Sequence, residues 1–171
     1  MKITILGSTG FLGKVLLKKA LDKGYQVKTL VGNPGKLGEF KNRVEFIQGN
    51  IFNADDIEKT VSETKAVIST VGPPQRNPGN PDTYKKAMED LVAILEKRNI
   101  MRLIHVGGAV HRGGGENENW TLSRKFLRFF LSASAKPILV AKHLEWEVLK
   151  KSKLEWTLVR PPRIAKGESK G

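Results

Sequence analysis

Short apolar segments alternate along this chain with longer segments in which apolar residues recur every three or four positions. The short segments predict β-strands at residues 2–6, 26–31, 44–48, 66–71, 102–106 and 154–160. The longer segments predict helices at residues 13–23, 54–63, 83–98, 120–132 and 140–151, with Asn53 and Asp82 as N-caps of the second and third. Strands without polar alternation favour a parallel sheet that is covered by helices on both faces. The pattern therefore predicts an α/β fold, a doubly wound parallel sheet with three αβα layers, as one domain over residues 1–171.

A glycine-rich turn joins the first predicted strand to the first predicted helix. Its residues are Gly7, Ser8, Thr9, Gly10, Phe11, Leu12 and Gly13. In this setting the first glycine permits a tight turn, the second lets a pyrophosphate approach the backbone, and the third lets the helix pack against the sheet. The unpaired N–H groups of the helix attract phosphates, and the hydroxyls of Ser8 and Thr9 are expected to add donors. The turn predicts a dinucleotide site of the Rossmann type, and a ligand-free βα turn is the alternative.

Composition excludes several kinds of chemistry. The chain has 171 residues, 39% of them hydrophobic, and no cysteine. Disulfides, thiolate catalysis and cysteine-ligated metals are therefore excluded, and the separated His105, His111 and His143 lack the spacing of a metal site. No apolar run is long enough for a membrane span, and the first one is too short for a signal peptide, so we expect a cytoplasmic protein.

The net charge of +13 is spread along the chain instead of being concentrated in a basic run. This distribution favours a solvated basic surface, and we do not expect nucleic-acid binding. The predicted helix 120–132 combines aromatic and basic residues. We expect it to pack on the core or on a second copy of the chain, which leaves a homodimer open, and a substrate lid is the alternative.

Three motifs in order resemble a known family. They are the glycine turn at residues 7–13, the sequence Val-Gly-Pro-Pro at residues 71–74 and the sequence Leu-Val-Arg-Pro-Pro-Arg-Ile at residues 158–164. Together they resemble the atypical short-chain dehydrogenase/reductases, in the NAD(P)H-binding NmrA-like branch that includes biliverdin reductase B-like flavin reductases. The resemblance implies hydride transfer from NAD(P)H to a small acceptor such as a flavin, quinone or carbonyl compound. The alternatives are a non-catalytic NAD(P) sensor and an epimerase- or dehydratase-like enzyme.

The same resemblance assigns cofactor positions beyond the turn. They are Gly32, Asn33, Lys36, Asn50, Thr70, Val71, Gly72, Pro73, Gly107, Lys142 and Pro161. Gly32 stands where many relatives have an arginine for the 2′-phosphate of NADP, and Lys36 or Arg43 is expected to supply the cation instead. No acid follows the second strand, so we expect NADP, with NAD as the alternative. Asn50 replaces an acid that lies near the adenine in relatives.

The catalytic positions depart from the family. Relatives use Tyr-x-x-x-Lys, but here Ile138 replaces the tyrosine and Lys142 remains to bind the nicotinamide ribose. Gly107 and Gly108 replace the usual serines, so we expect the proton to come from solvent or from His111. We expect His105 to be a core residue. Relatives continue for some tens of residues after the Arg-Pro-Pro motif, so the C-terminal substrate part is expected to be short or truncated.

Overall fold

The computed structural model describes residues 1–73, 79–107 and 136–161. The predicted helix 120–132, the loop with His111, and the residues after Pro161 lie outside the described residues. No helix within the described ranges is long and apolar enough to cross a membrane.

The described strands form one parallel sheet in the order β3-β2-β1-β4-β5-β6. The strands are β1 (Lys2–Leu6), β2 (Gln26–Val31), β3 (Glu45–Gln48), β4 (Ala66–Ser69), β5 (Arg102–Val106) and β6 (Glu155–Val159). The helices are α1 (Phe11–Asp22), α2 (Ala54–Val61), α3 (Pro81–Lys97) and α4 (Lys136–Lys151), with a 3-10 segment at Pro34–Arg43. The strand order runs outward in opposite directions from β1 and β4, which places a topological switch point between these two strands. This confirms the predicted doubly wound α/β fold.

Two hydrophobic clusters cover the two faces of the sheet. Ile3 and Ile5 of β1 pack in one cluster with α1 and the 3-10 segment, whereas Leu6 packs in the other with α2, α3 and α4. Side chains of a strand alternate between faces, so this division follows from the odd and even positions of β1. The sheet is therefore the middle of three layers, as predicted.

The N-cap residues of α2 and α3 determine where these helices begin, and one of the two differs from the prediction. Asn80 caps α3 by accepting a hydrogen bond from the Asp82 N–H at 2.9 Å, and Pro81 occupies the first turn. The prediction that Asp82 is the cap is wrong, because a proline without N–H fits the start of a helix and moves the start two residues earlier. Asn53 caps α2, as predicted. The Asn33-Pro34 turn continues into the 3-10 segment, which the sequence did not predict.

Candidate functional site

The glycine turn after β1 has steric requirements at its two ends. Gly7 has φ +81°, and a Cβ there would lie 2.6 Å from the Thr70 hydroxyl oxygen. A Cβ at Gly13 would overlap the Gly7 carbonyl. The Gly10 N–H donates to the Gly7 carbonyl at 3.0 Å and closes the turn. These contacts explain why the strand, the turn and α1 can lie so close together.

Helix α1 begins at the carboxyl edge of the sheet with open backbone donors. Gly10 is its N-cap residue and no side chain of the described residues caps it. The first helical bond runs from the Lys14 N–H to the Gly10 carbonyl at 3.0 Å. Uncapped first-turn N–H groups, here those of Phe11 and Leu12, together with the helix dipole form an anion site.

The structure corrects the expected role of the Ser8 hydroxyl. Ser8 is fully buried, and its Oγ lies 2.6 Å from the Thr29 hydroxyl, which itself donates to the Ile5 carbonyl at 2.7 Å. The Thr29 proton is used on Ile5, so Ser8 must donate its only proton to Thr29. The Ser8 hydroxyl therefore has no proton left for a phosphate, and of the two hydroxyls only that of the partly exposed Thr9 keeps the expected role.

A cleft of about 670 Å³ opens at the carboxyl ends of β1 to β4, on the switch point. Four residues expected from the sequence line it: Gly7, Gly32, Asn50 and Val71. Ligands of open α/β sheets bind outside the carboxyl ends of strands at this point. The cleft and the α1 N-terminus meet at Gly7, so one ligand can contact both.

A carboxylate that the sequence did not predict lies in this cleft. Asp56, in the first turn of α2, accepts a hydrogen bond from the Asn50 N–H at 2.9 Å. A Cβ at Gly49 would overlap the Asp56 carboxylate, so a larger residue there would displace this carboxylate. The Asn50 side-chain oxygen accepts from the Phe52 N–H at 3.1 Å and is engaged locally. The acid of this part of the cleft is thus supplied by residue 56 instead of residue 50.

The two residues expected to supply a cation for the 2′-phosphate, Lys36 and Arg43, lie at different edges of the sheet. Lys36 is exposed in the 3-10 segment near Gly32 and forms no ion pair with the described residues, although it does not line the cleft. Lys18, with a smaller contribution from Arg43, holds the pKa of Asp22 below its ordinary value. Asp22 ends α1 at the amino edge of the sheet, so Arg43 lies at the edge opposite the cleft and is wrong as the alternative cation. Asn33 uses its side-chain oxygen to accept from the Gly35 N–H.

Lys142 of α4 reaches the carboxyl end of β4. Its ammonium lies 2.9 Å from Glu145 Oε2, and a Cβ at Gly72 would lie 2.7 Å from Lys142 Nζ. The structure thus brings together two positions that are 70 residues apart, and Thr70, Val71 and Pro73 belong to the same strand end. Ile138 precedes Lys142 by about one helical turn on α4.

Glu145 is the centre of a buried polar cluster. It is 4% exposed, and its Oε2 also lies 3.2 Å from Nε2 of His105, which is 2% exposed in β5. Burial by itself would raise the pKa of Glu145, but the His105 hydrogen bond and the Lys142 charge together hold this pKa below its ordinary value. His105 is buried, as predicted, and its Nδ1 has no hydrogen-bond partner within the described ranges. The sequence did not predict a role for Glu145, although its i,i+3 spacing from Lys142 indicates a shared helix face.

A cavity of about 20 Å³ lies beside this cluster, lined in part by Tyr84, His105 and Glu145. Burial, followed by the Glu145 charge, raises the pKa of Tyr84. The Tyr84 ring packs edge-on against Phe52, with centroids 5.2 Å apart. The sequence did not predict a role for Tyr84.

The remaining expected residues lie at the same edge or outside the described ranges. Gly107 donates its N–H to the Val159 carbonyl at 2.9 Å, which places it beside the end of β6 and near Pro161. Neither Gly107 nor Pro161 lines the 670 Å³ cleft. His111 lies outside the described residues. Within those residues, no group of three or more His, Asp or Glu side chains is placed to hold a metal ion.

The fold, the uncapped α1 and the cleft at the switch point define a Rossmann-type dinucleotide-binding domain. The comparison with family models agrees, because the NAD(P)H-binding family model matches residues 7–171. The chain therefore belongs to the NAD(P)H-binding family, which confirms the resemblance to the atypical short-chain dehydrogenase/reductases.

Relatives extend this picture over most of the chain. It is 24% identical over 165 residues to photosystem II assembly factor Ycf39 of Cyanophora paradoxa, which covers 94% of this chain and 44% of that protein. It is 26% identical over 195 residues to anthocyanidin reductase of Arabidopsis thaliana, covering 96% of this chain and 56% of the reductase. The structure of ChuY, an anaerobillin reductase from Escherichia coli O157:H7, shares the fold with a TM-score of 0.72 at 21% identity, covering 94% of this chain and 72% of ChuY. The chain thus spans about half the length of these curated relatives.

Proposed function

We propose that this chain binds NADPH, with NADH as the alternative, and transfers hydride from the nicotinamide to a small acceptor such as a flavin, a quinone or a carbonyl compound. The observation that carries the proposal is the meeting of the uncapped α1 N-terminus with the 670 Å³ cleft at Gly7. The cofactor supplies the hydride when it is bound. The chain's own residues bind the cofactor, orient it and admit the acceptor.

The cofactor contacts follow from the donors at the sheet edge. The first-turn N–H groups of α1 bind the diphosphate, and the cleft, whose lining includes the Asp56 carboxylate, holds the adenosine half. Residues 29–36 contain no acid, and Lys36 is an exposed cation without an ion pair among the described residues. A 2′-phosphate meets no carboxylate there, which supports NADPH over NADH.

The replacement of the family's tyrosine by Ile138 favours acceptors that need no proton from a side chain. Ile138 is one turn before Lys142 and has no proton to donate, and Gly107 carries no hydroxyl. Flavins and quinones take up the accompanying proton from water, so they need no side-chain acid. The balanced reaction is NADPH plus a proton plus the oxidised acceptor, giving NADP and the reduced acceptor. The same absence weighs against epimerase- or dehydratase-like chemistry, which needs a positioned acid or base.

A non-catalytic NAD(P) sensor is the second candidate. The same replacements, Ile138 and Gly107, favour it, because a sensor needs the binding site but no proton donor. One relative, Ycf39, is named as an assembly factor. A sensor of this kind is expected to bind oxidised and reduced cofactor with similar affinity, or to prefer the oxidised form, and to have a protein partner.

The two candidates separate in a turnover assay. Purified protein is mixed with NADPH and a series of flavins, quinones and small carbonyls, and loss of the reduced-nicotinamide absorbance is followed. We expect turnover with a flavin or quinone, and a large loss of turnover in Lys142→Met but not in the surface control Lys41→Met. Binding without turnover for every acceptor would refute the reductase proposal and favour the sensor.

A further inference from the structure

We propose that Glu145 and His105 form a buried positioning pair that holds the Lys142 ammonium at the carboxyl end of β4, ready to bind the cofactor. The inference deepens the proposed function and rests on it, because the role of Lys142 toward the cofactor belongs to that proposal. It assigns work to two residues that themselves need not touch the cofactor.

The ion pair between Lys142 and Glu145 is built differently from the surface pairs of this chain. The two residues are three positions apart on α4 and share a helix face. Their side chains are only 14% and 6% exposed, whereas the i,i+4 pair of Lys18 and Asp22 is 65% and 49% exposed. Screening by water is weak at the buried pair, so the carboxylate exerts a strong directional pull on the ammonium.

His105 connects this pair to the sheet. Its Nε2 lies 3.2 Å from the same oxygen, Glu145 Oε2, that accepts from Lys142 at 2.9 Å. An ionised carboxylate only accepts, so we assign the ring hydrogen to Nε2. His105 belongs to β5 and Glu145 to α4, and the contact therefore fixes the carboxylate relative to the strands as well as to its own helix. A lysine on a flexible four-carbon stem gains a defined position from such an anchor.

Gly72 leaves the space that the ammonium occupies. A Cβ at this position would lie 2.7 Å from Lys142 Nζ. The ammonium carries three hydrogens, and its one hydrogen bond to the described residues goes to Glu145. The described residues thus leave two of its hydrogens for oxygens at the strand end, such as a ribose hydroxyl.

The charge state of the cluster supports the same role. Burial would raise the pKa of Glu145, but the His105 hydrogen bond and the Lys142 charge hold it below its ordinary value. The carboxylate therefore stays ionised through the neutral range and remains a partner for the ammonium. A cluster that served only to join α4 to the sheet would not need to place an ammonium beside Gly72 at the carboxyl end of β4.

A double-mutant cycle on NADPH binding tests the proposal. The dissociation constant is measured by calorimetry for the native chain, Lys142→Met, Glu145→Gln and the double variant, with Glu147→Gln as the matched control on the same helix. We expect Lys142→Met to weaken binding about tenfold, the effect of one charged hydrogen bond. We expect Glu145→Gln to weaken binding by a factor of several, and the double variant to bind no worse than Lys142→Met.

Further variants separate positioning from folding. Glu145→Asp keeps the charge and should recover part of the affinity, and His105→Gln keeps a side-chain N–H and should bind more tightly than His105→Leu. Thermal denaturation of each variant gives the folded fraction. If Glu145→Gln does not fold, the comparison of NADPH affinity between His105→Gln and His105→Leu tests the proposal instead. If Glu145→Gln binds like Glu147→Gln, or if its effect adds fully to that of Lys142→Met, positioning is overturned while the proposed function stands. If the native chain binds no dinucleotide, the proposed function fails, and the positioning role fails with it.

Discussion

Replacing Gly10 by alanine separates the ligand role of the glycine turn from its structural role. Gly10 has φ −74°, which alanine adopts without strain, and the one atom within 4 Å of its added Cβ, the Gly7 carbonyl oxygen, lies 3.2 Å away. A glycine at an N-cap stabilises a helix by up to about 1 kcal/mol more than alanine does, so the free energy of unfolding should fall by about this amount. A further small loss is expected because the Gly7 carbonyl must shift by a few tenths of an ångström. The new methyl group stands at the uncapped start of α1, where the diphosphate must approach the backbone.

The expected binding effect is larger than the stability effect. If the methyl group displaces a phosphate from one first-turn N–H, the loss is about 1.5–3 kcal/mol, which is a tenfold to hundredfold rise in the NADPH dissociation constant. Calorimetry measures the affinity and urea denaturation the stability. The control is Gly24→Ala at the other end of α1, where φ is +77° and no atom lies within 4 Å of the added Cβ.

Gly24→Ala should cost about 1 kcal/mol of stability through its positive φ and leave NADPH affinity unchanged. Gly7→Ala should cost more, because the strain of a positive φ adds to the collision with Thr70. Native-like affinity in a folded Gly10→Ala variant would refute the assignment of the turn to the diphosphate. Unfolding as severe as that of Gly7→Ala would refute the steric reasoning.

Three further predictions concern buried contacts and a cap. Thr29→Val should lower the free energy of unfolding by about 1–3 kcal/mol in urea denaturation, because it removes the partner of the buried Ser8 hydroxyl and one hydrogen bond to the Ile5 carbonyl, while NADPH affinity stays unchanged. Reduced affinity in a fully folded variant would return the Ser8 hydroxyl to the phosphate site. Glu145→Gln should lower the free energy of unfolding by about 3 kcal/mol at neutral pH in urea denaturation. The pKa of Glu145 is lower in the folded chain than in the unfolded chain, where it is about 4.3. The stabilisation by Glu145 is therefore complete above about pH 4.3 and is lost as the pH falls through the folded-state pKa. A stability difference between the native chain and Glu145→Gln that grew in acid would contradict this prediction. Asn80→Ala should cost about 1 kcal/mol and Asp82→Ala less in thermal denaturation, and the reverse order would restore Asp82 as the cap.

The fold could be predicted where local signals agree. The bounds of β1, β2 and β5 match the prediction, because each is a short apolar run bounded by clear breaks. The predicted start of α3 is wrong because Pro81 follows a segment rich in Pro, Asn and Gly, which has the composition of a loop. The 3-10 segment was missed because its glycines and proline resemble a loop, although Leu37 and Phe40 are buried at a helical spacing.

The site was predictable only in part, because some of its contacts join distant parts of the chain. The glycine turn is a local motif and was found. The Glu145–His105 contact joins residues 40 positions apart, and its existence depends on how α4 packs against β5. Asp56 lies in the cleft because the chain turns between β3 and α2 and brings its carboxylate to the Asn50 N–H. Ser8 is buried because β2, which carries Thr29, runs beside β1. No local pattern reports such tertiary contacts.

The most direct test of this account is a calorimetric titration of the native chain with NADPH, NADH, NADP and NAD in parallel. We expect saturable binding of one dinucleotide per chain, with NADPH bound more tightly than NADH. We also expect Lys36→Ala to weaken the binding of NADPH but not that of NADH. Folded protein that binds none of the four dinucleotides would contradict the assignment of the glycine turn and the cleft to a cofactor.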